Sequence, residues 1–236
     1  MKVRTYQPTP GLKPTQFSVG LLEVEFKVVE MKALKPKKLA KLIKETPVPV
    51  VTSPSKELCI IDHHHYVFAC WHADVKAVRV KVVKDFSRSK LRYREFWQMM
   101  AKKHYAYLHD QFGEGPRRAL YLPIDRRGMA DDPYRSLAWM VRKEGGFENS
   151  TESFAEFRWA DFFREKRLLD SHGRKGFHAA IHKGLRLAGS RRAAALPGYI
   201  NTSADAAAPV EKALIKSRYV PAAQKKGALA TIPIIE

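Results

Sequence analysis

The spacing of apolar and polar residues predicts an alternation of helices and strands over the first 90 residues. Leu21, Val24 and Val28 recur at helical spacing, with charged residues between them. Farther along, short apolar runs bounded by turn-forming residues are typical of strands. The predicted elements are a helix from Leu21, a second helix over 37–45, strands over 48–51 and 58–61, a helix over 66–73 and a strand over 77–83.

The second part of the chain has helical spacing. A long helix is predicted from Leu91 through Leu108. Asp132-Pro133 is typical of a helix start, and the glycine pair at Gly145 is typical of a helix end. Ser153 to Glu156 has the pattern of a capping box at the start of an aromatic-rich helix.

These patterns predict an α+β protein. We expect a small mixed-sheet domain over residues 1–88, a mainly α-helical extension packed on it over 89–195, and a flexible basic tail over 196–236. With 45% hydrophobic residues, the chain can form a sizeable core without disulfide bonds.

The net charge of the chain favours anionic binding partners. Lysine and arginine number 43 against 24 aspartates and glutamates, a net charge of +19. Such a surplus favours nucleic acid, nucleotides, phosphorylated substrates or acidic membranes as partners. A basic protein with no polyanionic partner is the alternative.

Two cysteines and the lack of long apolar segments indicate the compartment. Cys59 and Cys70 lie in apolar surroundings, where a cysteine behaves as a small hydrophobic residue. No apolar leader precedes Lys13, and no run approaches the roughly 18 apolar residues of a membrane span. We expect a cytoplasmic protein with no membrane partner.

The most unusual segment is Asp62-His63-His64-His65, placed between a predicted strand and a predicted helix. A helix start has N–H groups without helical partners and attracts anions, and Asp62 stands where an N-cap acceptor belongs. Histidines there can bind phosphate or exchange protons near neutral pH. A purely structural role and a metal site are the alternatives, although adjacent histidines seldom chelate one ion and no spaced ligand partner is evident.

The same segment resembles the signature of the ParB/sulfiredoxin superfamily. Its members have a Leu-x-Pro-x-Gln box, two core strands and a strand–turn–helix motif, and Leu12-Lys13-Pro14-Thr15-Gln16 and Asp62-His63-His64-His65-Tyr66-Val67-Phe68-Ala69 occupy these places. The combination is similar to the ParB-like nuclease group. That group has a helical extension, which the segments 131–139 and 156–162 resemble, so the likeness spans roughly residues 10–170.

The chain departs from the superfamily at three points. Sulfiredoxin-like members have a cysteine inside the motif, whereas this chain has histidines there, so sulfinic-acid reduction is not expected. Related members have a glycine where His63 stands and a phosphate-binding arginine where Tyr66 stands. Loss of that arginine removes a bidentate phosphate clamp, which protonated His64 and His65 would replace in part.

The resemblance implies a nuclease or a nucleotide-dependent phosphoryl-transfer enzyme. ATP or ADP and a divalent metal ion are the candidate cofactors, and no residue is predicted as a metal ligand. Glu23 is a candidate for orienting a group at the His-rich turn, with an ordinary helix-start glutamate as the alternative. The predicted catalytic residues are His64, His65, Glu23 and Asp62, and the predicted phosphate-binding residues are His63, Tyr66 and Gln16.

A basic stretch over residues 76–94 suggests a second kind of site. It holds eight basic residues and one acidic residue, with aromatic residues adjoining. Such a stretch can contact phosphates and stack on bases, or it can be a solvated strand face. No helix-turn-helix signature is present, so a chromosome-partition role is not expected. A non-catalytic nucleic-acid-binding protein is the alternative function, and an interaction module on a degenerate scaffold is a third. The predicted nucleic-acid contacts are Lys81, Lys84, Arg88 and Arg92.

Overall fold

The computed structural model describes residues 3–170 and 173–201, and it confirms the α+β prediction. The chain forms two compact units, one of residues 3–19 and 24–130 and one of residues 20–23 together with the described residues from 131 onward. The elements, in chain order, are β1 (Tyr6–Pro8), β2 (Leu12–Lys13), β3 (Ser18–Val19), α1 (Leu21–Ala33), α2 (Pro36–Glu45), β4 (Val48–Thr52), β5 (Leu58–Ile60), α3 (His64–His72), β6 (Ala77–Asp85), α4 (Tyr93–Lys102), β7 (Ala130–Asp131), α5 (Pro133–Lys143), α6 (Ala155–Glu165) and α7 (Gly173–Ala188).

A mixed five-stranded sheet forms the centre of the first unit, in the order β1-β6-β4-β5-β2. β4 pairs with β6 in parallel and with β5 in antiparallel orientation, while β2 lies parallel to β5. All three residues of β5 are buried, as is typical of a central strand covered on both faces. β5 leads into the His-rich segment, so the sheet fixes where that segment begins.

Helix α4 packs on one side of this sheet. Phe96, Trp97 and Met100 are buried and form one apolar cluster with Val51 and Cys59. The sheet and α4 accordingly belong to the same compact unit.

The predicted helix from Leu91 through Leu108 was wrong in its second half, because α4 ends at Lys102. His104 adopts a left-handed backbone with φ 57°, and the N–H of Tyr105 bonds to the carbonyl of Met100 at 2.8 Å. This is the Schellman arrangement that ends a helix, usually with glycine at the left-handed position. A histidine there gave no sequence signal.

The predicted capping box at Ser153 was also wrong. Helix α6 begins at Ala155, and Phe154 occupies the N-cap position with φ 61° and no side-chain cap. The aromatic residues of α6 are core residues, as the spacing predicted: Trp159 is fully buried and stacks on Phe147 with ring centroids 4.1 Å apart. Its indole N–H donates to the carbonyl of Pro197 at 2.7 Å.

The predicted tail over 196–236 is described only in part. Residues 196–201 are described, and the Pro197 carbonyl is held by Trp159. Residues 202–236 lie outside the described residues. The helix α7 was not predicted individually.

A buried ionic network holds α5 and α6 of the second unit together. The carboxylate of Asp132 caps α5 by accepting from the N–H groups of Tyr134 and Arg135, and it also accepts from Arg164 Nη2 at 2.7 Å. Burial raises the pKa of Asp132, and Arg164 and then Arg135 oppose that rise. The Arg135 guanidinium lies 3.6 Å from the centroid of the Phe157 ring.

We predict that Asp132→Ala lowers the free energy of unfolding by about 3–5 kcal/mol, because it removes the buried N-cap acceptor of α5 and leaves the partly buried Arg164 without this carboxylate. Urea denaturation followed by tryptophan fluorescence measures the change. Glu152→Ala, which breaks an exposed pair with Arg158, is the control and should cost less than about 1 kcal/mol. Equal losses in the two variants would show that the buried network is not stabilising α5.

Candidate functional site

The His-rich segment forms a tight turn between β5 and α3. Asp62 is exposed, and its Oδ1 accepts a hydrogen bond from the N–H of His63 at 2.6 Å. The prediction that Asp62 is the N-cap of the helix was wrong, because His63 occupies that position and turns the chain with a left-handed backbone. Asp62 therefore fixes the turn itself and not the first turn of α3.

His63 has φ 65°, a conformation that L-residues adopt at a cost and that histidine adopts more often than most. The related ParB-like motif has glycine at this place, and the left-handed backbone explains that preference. The Nδ1 atom of His63 is buried and has no hydrogen-bond partner among the described residues. Its ring meets the ring of Tyr66 edge-on, with centroids 6.2 Å apart.

Thr15 ties the Leu12–Gln16 box to the turn. Its backbone N–H donates to Nε2 of His64 at 3.2 Å, and its hydroxyl donates to the carbonyl of Ile60 at 2.6 Å. Thr15 and His64 are both buried. Since Nε2 of His64 accepts a hydrogen bond, it cannot carry a proton in this arrangement. His64 is thus a positioning residue whose ring joins two segments.

Gln16, predicted to bind phosphate, is buried and donates from Nε2 to the carbonyl of Ser18 at 2.8 Å. The residue that reaches the His-rich turn is its neighbour Thr15, which the sequence analysis missed. The available signal was its position inside the family box, although a threonine between proline and glutamine is unremarkable by itself.

Tyr66, Cys59 and Cys70 are buried and hold their protons. Burial is the largest cause that raises the pKa of Cys59 to about 12 and that of Cys70 to about 11. Burial, followed by the neighbouring Cys70, raises the pKa of Tyr66 far above its usual range. None of the three supplies an anionic nucleophile at neutral pH.

His65 is partly exposed in the first turn of α3.

Glu23 lies in the first turn of α1, is buried, and belongs to the second compact unit. His63, His64 and His65 belong to the first unit. A shared role for Glu23 and the turn is therefore still a prediction from the sequence.

The basic stretch contains a β-bulge that the sequence did not reveal. Lys81 pairs with Pro49 and Lys84 pairs with Val51, so Val83 is an extra residue in β6. Because Pro49 and Val51 are two residues apart, the bulge brings Lys81 and Lys84 to the same face of the strand. Both lysines and Arg88 are exposed.

Arg92 differs from these three residues. Its Nη2 and Nε donate to Oε1 of Glu95 at 2.7 and 3.1 Å, and Glu95 Oε2 accepts from the Arg92 N–H. Glu95, the third residue of α4, thus reaches back to the N–H of the N-cap residue Arg92 at the start of the helix. The guanidinium of Arg92 is therefore already engaged by a carboxylate.

A cationic cluster that the sequence analysis did not identify lies at the other end of α3. Arg126 is buried, with its Cζ 4.5 Å from the centroid of a Trp71 ring. The carboxylate of the preceding residue, Asp125, accepts hydrogen bonds from Nε and Nη2 of Arg127. Burial, followed by Arg126, lowers the pKa of His72. The cation–π contact accounts for the position of Arg126 within the fold.

The described residues contain no group of three or more His, Cys, Asp and Glu side chains arranged to hold a metal ion. None of the helices in the described part of the chain is long and apolar enough to cross a membrane.

We predict that His64→Phe destabilises the protein by about 1–3 kcal/mol, because it leaves the buried N–H of Thr15 without its acceptor. His64→Gln keeps a hydrogen-bonding side chain and should cost less. Urea denaturation of both variants measures the difference. Equal losses would argue that the Thr15 contact does not contribute to stability.

Comparison with known proteins places the chain in a family. Residues 8–165 match a family model described as "Putative ParB-like nuclease". The crystal structure of protein Atu1540 from Agrobacterium tumefaciens is similar, with a TM-score of 0.72 and 34% sequence identity over 84% of this chain and 96% of that one. No curated protein matched the sequence. The family match covers the Leu12–Gln16 box, the His-rich turn and all of α6. The chain therefore belongs to the ParB-like nuclease family.

Proposed function

We propose that the protein is a nuclease that cleaves phosphodiester bonds at the His-rich turn. The observation that carries this proposal is the arrangement of His63, which has a strained left-handed backbone and a buried Nδ1 without a protein partner among the described residues. Strained residues persist where the surrounding structure enforces them, and they cluster at functional sites. Family membership supports the same chemistry.

The chemistry divides between two histidines. Cleavage of a phosphodiester needs a base that takes a proton from water and an acid that protonates the leaving oxygen. His63 and His65 flank His64 in sequence and belong to the same helix start, where the first N–H groups attract a phosphate. His64 holds the turn through Thr15, and Asp62 holds the backbone of His63.

The candidate cofactors at the His-rich turn are a divalent metal ion and ATP or ADP. A divalent ion at this turn would take most of its ligands from substrate phosphates and water, as Mg²⁺ does in many phosphoryl-transfer sites. A nucleotide-dependent phosphotransferase would use the same helix start with ATP or ADP. Turnover assays therefore need arms with Mg²⁺, with EDTA, and with ATP.

The test is cleavage of labelled single- and double-stranded DNA and RNA by the full chain. We expect His63→Ala combined with His65→Ala to reduce cleavage by about 100-fold or more, the usual contribution of acid–base catalysis. The control is His178→Ala combined with His182→Ala on α7, which removes two partly exposed histidines from the second unit. Far-ultraviolet circular dichroism checks folding.

Unchanged cleavage in the His63 and His65 variant would remove the turn as the catalytic site. Release of ADP from ATP in place of nucleic-acid cleavage would favour the phosphotransferase.

The second candidate is a non-catalytic nucleic-acid-binding protein, and the same-face placement of Lys81 and Lys84 favours it. Both side chains are exposed, and Arg88 follows shortly after β6. Lysines on one face can follow a phosphate backbone, whatever its sequence.

We predict that replacing Lys81, Lys84 and Arg88 with glutamine makes the slope of log K against log salt concentration shallower by about 2–3 for double-stranded DNA. The reason is that each lost phosphate contact removes close to one unit of slope. Fluorescence anisotropy over a range of salt concentrations measures this slope. The control replaces the exposed residues Lys102, Lys103 and Lys183, with the same change in net charge. An equal effect in both variants would show that only the overall charge matters.

A further inference from the structure

A cleft of about 540 Å³ opens at the edge of the sheet in the first unit, beside β2 and the start of β5. Its volume lies within the range of about 300–1,000 Å³ that is usual for small-molecule sites. Arg4, Lys13 and Lys56 line it, together with Glu57. None of these four residues belongs to the His-rich turn.

The charges in the cleft are unbalanced. Glu57 is engaged by Lys13, with Nζ 3.1 Å from Oε1, and by the hydroxyl of Ser55 at 2.8 Å from Oε2. Among the described residues, no carboxylate pairs with Arg4 or Lys56. Two cations therefore face a concave surface with no counter-charge of their own, which favours a bound anion.

The lining of the cleft also includes apolar residues. Ile124, with 89% of its surface exposed, and Pro10 are two of them. Gln7 also lines the cleft, and its Nε2 donates to the Arg4 carbonyl at 2.9 Å, which leaves Oε1 as an acceptor. A ligand that combines an anionic group with a flat apolar group bearing amine donors would match the cations, the apolar residues and this acceptor.

We propose that this cleft binds a nucleoside 5′-phosphate, with the phosphate between Arg4 and Lys56 and the base against Ile124. The inference goes beyond the proposed nuclease activity, because binding here requires no cleavage at the His-rich turn. The ligand is either a free mononucleotide or one nucleotide of a nucleic acid, since both present the same chemistry. An acidic peptide would use the cations and leave Ile124 uncovered.

Gly11, which also lines the cleft, permits a steric test. A Cβ atom at Gly11 would meet no atom within 4 Å, and Gly11 does not have the left-handed backbone that disfavours side chains. Gly11→Phe should therefore fold normally while its ring fills part of the cleft. Gly11→Ala adds one methyl group and is the matched control.

The experiment is isothermal titration calorimetry of the full chain with adenosine 5′-monophosphate, adenosine and inorganic phosphate. We expect the monophosphate to bind more tightly than either part, and Arg4→Gln combined with Lys56→Gln to weaken it by about tenfold or more. Gly11→Phe should abolish binding. Gly11→Ala, and Lys102→Gln combined with Lys103→Gln, should bind as the parent protein does.

Three results would overturn the proposal: no binding of the monophosphate at millimolar concentration, binding that persists in Gly11→Phe, or displacement by a short poly-glutamate peptide at equal affinity. A 5′-phosphorylated dinucleotide identifies the source of the ligand. Tighter binding than the monophosphate indicates nucleic acid, and weaker binding indicates a free nucleotide; both support a nucleoside-phosphate site. Cleavage assays of Gly11→Phe report separately on the His-rich turn.

Discussion

Thr15 is buried and connects its own segment of the first unit to three others through three hydrogen bonds. Its hydroxyl binds the end of β5, and its N–H binds the ring of His64 at the start of α3. Its carbonyl accepts from the N–H of Tyr107 at 3.0 Å. Because buried polar groups are costly when unpaired, these contacts fix the box that contains Thr15, the strand and the helix relative to one another. The position of the His-rich turn depends on this one small side chain and its peptide group.

The same contacts separate the roles of three adjacent histidines. His64 faces inward and serves as an acceptor, while His63 takes the left-handed turn and His65 is partly exposed. Adjacent identical residues thus experience different surroundings, because a turn followed by a helix points successive side chains in different directions. The proton transfer that we propose for the turn would use the outer two residues, and the inner one would fix their geometry.

Much of the fold could be predicted from the sequence, and the errors share a physical cause. The apolar spacing located α1, α2, β4, β5 and the start of α5, and it placed the His-rich segment between a strand and a helix. The failures at His63, His104 and Phe154 all involve left-handed backbone at a residue other than glycine. Glycine is the usual sequence signal for a left-handed residue, and none of these positions has one, so no local pattern announces the conformation. The bulge at Val83 and the contacts of Thr15 depend on a partner strand and a helix that are distant in sequence.

The net charge of the chain does not show which basic residues can contact a polyanion. Many arginines are engaged by carboxylates, among them Arg92, Arg117, Arg127 and Arg164. Exposed lysines such as Lys81 and Lys84 have no such partner in the described part of the chain. The surplus that can act on a polyanion therefore lies mainly in lysines, because the planar guanidinium is better suited to bidentate pairing within the protein.

The bulged half of β6 has a consequence for the solubility of the protein. β1 pairs with β6 only over Ala77–Arg79, and no other strand of the described residues covers that side of the strand beyond Val80. Val82 and Val83 are exposed there, which makes this edge a template for pairing with a second chain. The bulge, which lies in the pairing of β6 with β4, bends and twists the strand, and Lys81 and Lys84 place positive charge on this part of β6. The protein thus protects a hydrophobic sheet edge from aggregation with the same two side chains that give it a cationic face.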